Sequence, residues 1–89
     1  MPMFFDKLGP EDAQRVDRLA KLAFELRENR AGLLRQYGAE NESDLLRKIR
    51  SGEVPEHPAY EHYLSARILA EARESLRSEL AGLLKELNQ

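Results

Sequence analysis

The sequence contains no cysteine, so no disulfide can staple the fold and no thiolate can serve as metal ligand or nucleophile. A cysteine-built zinc finger is excluded, and a reducing compartment suits the chain. Long apolar runs are missing too: the longest is a few residues, against the roughly 20 that span a bilayer. The opening stretch "MPMFFDKLG" has no basic region leading into an apolar one. A cytoplasmic protein with no membrane association is therefore expected. Neither sign of charge dominates. Fourteen basic residues oppose sixteen acidic ones, for a formal net charge of −2. Nucleic-acid binding draws much of its affinity from phosphate neutralisation, so this even, slightly acidic mixture is a weak general candidate. Glycines are scattered at 9, 32, 38, 52 and 82, which leaves no phosphate-cradling loop.

What is present points to helix. With 34% charged and 42% hydrophobic residues, the composition is neither disordered nor membrane-like. The 89 residues read as one domain, 1–89. Ordering a chain costs roughly 1.5 kcal/mol per residue, so a lone small core ends near zero net stability. Unstapled chains of this size often oligomerise.

The pattern predicts an all-α fold: long helices over about 10–37 and 58–88, with a short one over about 44–51. The first opens at "GPED", where Gly9 is a candidate N-cap and Pro10 suits a position that needs no amide donor. Glu11 and Asp12 sit at the positive end of its dipole, and Gly38 supplies a left-handed stop. Val16, Leu19, Ala23, Leu26, Leu33 and Tyr37 recur at three-and-four spacing, the mark of one buried face. In the short helix Asn41 or Ser43 is the expected cap, Leu45, Leu46 and Ile49 form the apolar side, and Gly52 stops it. The last helix begins at Pro58, with His57 as expected N-cap, and carries Tyr63, Leu69, Leu76, Leu80, Leu83 and Leu87 inward.

Lengths suggest the assembly. The long helices make rods of about 40 and 45 Å, able to fold back as an antiparallel hairpin. A two-helix hairpin covers only a narrow seam, and Leu22, Phe24, Leu64 and Ile68 widen the stripes beyond it. Pairing two hairpins into a four-helix bundle buries both faces, so a homodimer is expected. Arg30 and Arg73 fall at inward positions. Either their stems lie along the seam while the guanidinium groups reach water, or each pairs with a carboxylate and sets register. Candidate partners are Glu25 and Glu28, or Glu61 and Glu71.

One stretch looks chemical: "EVPEHPAYEHY", residues 53–63, which holds both histidines. His57, Glu61 and His62 are the weak metal candidates, but the two histidines stand about 140° apart around a helix. No His-Glu-x-x-His or paired Glu-x-x-His motif occurs, so neither a metal nor any other cofactor is expected. The serines have no histidine at a telling spacing, and a slim bundle seldom offers a water-excluding pocket. No catalytic residue is assigned. The stretch reads as an elbow and helix cap, stiffened by Pro55 and Pro58, with Tyr60, Tyr63 and Leu64 packing on the short helix. His62 then reads as a packed histidine.

By exclusion, the expected function is a non-enzymatic protein–protein interaction module: an adaptor, regulator or antitoxin-like neutraliser with a protein partner. The alternative is a nucleic-acid-associated regulator using a basic patch of Arg35, Arg47, Lys48 and Arg50. A helix-turn-helix is disfavoured: residues 52–57 are too long for its turn, and Glu56 and Glu61 occupy the start of the following helix.

Overall fold

The structure, a computed structural model, describes residues 9–87. These residues form helices α1 (Pro10–Arg35), α2 (Glu42–Arg50) and α3 (Glu56–Leu87), with no strand among them.

Gly9 takes the extended N-cap conformation before Pro10. α1 ends at Arg35, two residues short of the expected Tyr37, because its closing motif begins there. Ala39 N–H donates to the Leu34 carbonyl at 3.0 Å and Gly38 N–H to that of Arg35 at 3.1 Å. Gly38 sits at φ +63° between them. This crossed pair is a Schellman closure, and it satisfies two carbonyls that the helix itself leaves open.

α2 starts two residues earlier than its apolar pattern suggests. Asn41 is the cap: its side chain accepts the Asp44 N–H at 2.8 Å, while Asp44 reaches back to the Glu40 N–H at 3.0 Å. The cap satisfies one orphan donor of α2, and the Asp44 carboxylate fixes the chain that enters it. After Gly52, at φ +82°, Val54 N–H returns to the Lys48 carbonyl at 3.3 Å.

α3 departs from expectation at its start. Its span begins at Glu56, but His57 (φ −112°, ψ 132°) and Pro58 (φ −89°, ψ 15°) are not helical, and the His57–Pro58 peptide bond is cis. Pro58 therefore marks a kink rather than a regular first helical position. The His57 ring turns to the Glu61 side chain.

Two contacts set the relation of the long helices. Arg15, near the start of α1, bonds Glu79 near the end of α3 at 2.9 Å. Tyr37, just past α1, meets His62 at the start of α3. The helices run antiparallel, and α2 packs against the first part of α3.

The core lies at that end. Leu45 of α2 is fully buried with Leu34 and Ala66, and Leu33, Tyr37, Ala39, Ile49, Val54 and Tyr63 pack around them. Farther along, where only two helices run side by side, Val16 and Leu83 are buried but Leu19, Ala23, Leu26, Leu69, Leu76, Leu80 and Leu87 stay half-buried. The chain measures 54 × 21 × 18 Å with a radius of gyration of 17.5 Å. A compact domain of this length would have about 12 Å. This chain is a rod, thick at one end and two helices thin at the other.

Candidate functional site

A thin rod cannot hide its apolar residues. Ile68 is 64% and Phe24 57% exposed, and Leu22, Tyr60 and Leu64 are also exposed. Tyr60, Leu64 and Ile68 follow at four-residue spacing and form one ridge along α3. Of the three residues expected against α2, only Tyr63 reaches its core. Tyr60 instead stacks on Tyr63, ring centres 5.9 Å apart, and the Arg67 guanidinium lies 5.8 Å from the Tyr63 ring. Aromatic pairs and guanidinium-over-ring contacts favour this ordered but solvent-facing arrangement.

Leu22 and Phe24 lie about 200° apart around α1, so they flank opposite edges of its inward stripe. The Arg15–Glu79 contact identifies one edge. Leu22 is seven residues beyond Arg15, and Ala72 and Leu76 precede Glu79 by seven and three. All three return to the side of that contact. Phe24 belongs to the other side, beside Arg27, Arg73 and Arg77.

The inward arginines take different partners from those expected. Arg30 grips Glu42, the first residue of α2, and not Glu25 or Glu28. The hydrogen-bonded guanidinium holds the Glu42 carboxyl below its ordinary range, and the carboxylate raises the arginine in turn. The signal missed in the sequence is the six-residue connection 36–41, which brings the start of α2 back beside α1. Arg73 is half-buried and meets no carboxylate among the described residues, neither Glu61 nor Glu71.

The three residues of the chemical-looking stretch separate. His57 Nδ1 lies 2.7 Å from Glu61 Oε1 on the surface, and that contact raises the histidine above its usual value. Glu61 is lowered, first by its own backbone N–H and then by His57. His62 faces away from both: its Nδ1 lies 2.5 Å from the Tyr37 hydroxyl, inside the elbow. No group of three or more His, Asp or Glu among the described residues is placed to hold a metal ion.

The basic residues of the alternative reading are partly engaged. Arg47 bonds Asp44 at 3.0 Å and Lys48 bonds Glu53 at 3.0 Å, each lowering its carboxylate; the Glu40 N–H is the larger influence on Asp44. Arg35 and Arg50 are exposed without a carboxylate partner among the described residues. No helix among the described residues is long and apolar enough to cross a membrane.

These features define an elongated all-α protein with three helices among the described residues and apolar ridges on several sides. The chain belongs to the family described as the uncharacterized protein MJ0235 family, which matches residues 16–89. That match covers α2, α3 and most of α1. No curated protein and no solved structure matches the chain.

Proposed function

We propose that the protein is a small interaction module without chemistry of its own, an adaptor, regulator or antitoxin-like neutraliser, working as a homodimeric four-helix bundle. The observation that carries this is the half-exposed seam beyond α2. Leu19, Leu26, Leu69 and Leu76 lie at core spacing yet remain half-buried, and Leu22 is 44% exposed. Burying a leucine fully stabilises by about 1.5–3 kcal/mol, so a second rod laid along this seam gains substantially. The side marked by Leu22, Leu26, Ala72 and Leu76 suits that contact, because apolar residues of α1 and α3 adjoin there and its arginines, Arg15 and Arg18, stand at one end of it. Two copies related by a twofold axis present this patch to each other.

Light scattering tests the proposal directly. The chain mass is 10.2 kDa, and a dimer gives about twice that at micromolar concentration. Leu22→Glu and Ala72→Glu place charges on the paired face and should yield folded monomers, whereas Phe24→Glu, on the other side, should stay dimeric. A wild-type monomer with a cooperative melt sinks the proposal. Nucleic-acid association through Arg35, Arg47, Lys48 and Arg50 has less support, since two of the four are tied to carboxylates.

A further inference from the structure

The side of the rod opposite Leu22 has a different character. There α1 and α3 line a shallow groove of about 320 Å³ with the apolar Ala20, Phe24 and Leu80 and the basic Arg27, Arg73 and Arg77. Other arginines near the seam have carboxylates: Arg15 meets Glu79, Arg30 meets Glu42 and Arg67 approaches Glu71. The three at the groove meet none among the described residues.

Sequence spacing explains why. Four residues either side of Arg27 are Ala23 and Ala31; for Arg73 they are Leu69 and Arg77. Arg27 and Arg73 have no carboxylate three or four residues away; Glu74 stands three before Arg77 but forms no ion pair with it, and Arg73 and Arg77 stand as a like-charged neighbouring pair. Such an arrangement is mildly destabilising in the free chain. Carboxylates supplied from outside would convert it into a set of forked, charge-assisted hydrogen bonds.

We propose that this groove docks an acidic amphipathic helix from a partner protein. Its apolar side chain would sit on Phe24 and Leu80, and carboxylates one turn apart would reach Arg73 and Arg77 from one side and Arg27 from the other. An exposed aromatic beside arginines is the composition in which interface energy concentrates. A helix laid along the α1–α3 groove would enter its side chains as ridges. This rests on the reading of the protein as an interaction module, but it uses the side away from the dimer contact. The two proposals therefore fail separately: loss of dimerisation leaves this groove intact, and loss of docking leaves the dimer intact.

The test is selection from a displayed library of random helical peptides about four turns long against the full chain. Selected helices should carry Glu or Asp at four-residue spacing around Leu or Phe. Their affinity should fall at least about tenfold on Arg73→Gln or Arg77→Gln, with circular dichroism unchanged. Arg77→Glu should shift preference towards lysine-bearing peptides, a gain that a merely unfolded variant cannot produce. Selected helices without acidic enrichment, or equal binding to wild type and Arg→Gln variants, would overturn the proposal. So would a DNA duplex that binds at these arginines and displaces the selected peptides.

Discussion

Arg30 and Glu42 are joined by two parallel bonds, Nε to Oε2 at 2.5 Å and Nη2 to Oε1 at 2.6 Å. The fork ties α1 to the first residue of α2, and its side chains are 30% and 17% exposed. Shielding from water makes such a pair stronger than a surface bridge, and breaking one half leaves a half-buried charge unpaired. The carboxylate also sits at the positive end of the α2 dipole. The pair holds α2, with Leu45, against Leu34 and Ala66 within a single chain.

Glu42→Gln should therefore lower stability by about 1–2 kcal/mol, and Arg30→Met by a similar amount. The double variant should lose less than the sum, because each single change already removes the shared contact. Urea melts of the four proteins measure this. Additive losses would show that the two side chains act independently.

The pH dependence has two limbs of known sign. Glu42 is lowered from 4.5, so the folded chain releases its proton more readily; its contribution is complete above that value and is lost as pH falls through the lowered one. Asp44, Glu53 and Glu61 act in the same direction. His57 is raised from 6.5, so its contribution is complete below that value and is lost as pH rises through the raised one. Thermal melts from pH 3 to 9, taken as about the range spanning both groups, should show a broad optimum between the limbs. His57→Gln should flatten the alkaline limb and remove from the acid limb only the part of Glu61 that His57 supplies. An alkaline limb unaltered in that variant would deny the His57–Glu61 contact any part in stability.

Burial predicts a steep contrast between two leucines. Leu45 has no exposed surface, whereas Leu64 is 38% exposed. Leu45→Ala should cost about 2–4 kcal/mol through lost transfer energy and a cavity, and should loosen α2 first. Leu64→Ala should change chain stability by under about 0.5 kcal/mol. Denaturant melts, with hydrogen exchange reporting on α2, separate the cases. Equal losses would mean that α2 does not anchor the core.

Gly38→Ala isolates backbone strain. A Cβ there meets nothing within 4 Å, but φ is +63°. The penalty should thus be conformational alone, about 1 kcal/mol. Asn at the same site should recover part of it, since asparagine tolerates the left-handed region. A neutral Gly38→Ala variant would show that the chain closes α1 some other way.

The local signals decided much of the fold in advance. Three-and-four spacing, Pro10 after Gly9, Asn41 before an apolar run, and Gly38 and Gly52 as stops are short-range physics, readable wherever the chain goes. They marked all three helices to within a few residues. The errors fell at the elbow that opens α3. Pro58 reads as a first helical residue, yet His57 and Pro58 are non-helical and the His57 ring turns to Glu61. Tyr60 and Leu64 have the right character to pack on α2, but the direction in which α3 leaves the elbow turns only Tyr63 inward.

By itself, then, the amino-acid order determined helix type, stops, the apolar stripes and the want of thiol chemistry, because each depends on residues within a turn or two of one another. Only tertiary structure decided that Arg30 meets Glu42 across the first connection, that His62 meets Tyr37 and not His57, and that Arg27 joins Arg73 and Arg77 around one groove. Those pairings depend on how two rods are rotated about their own axes. Helix periodicity leaves that rotation open until α2 closes over Leu34, Leu45 and Ala66, where burial of one small core selects it.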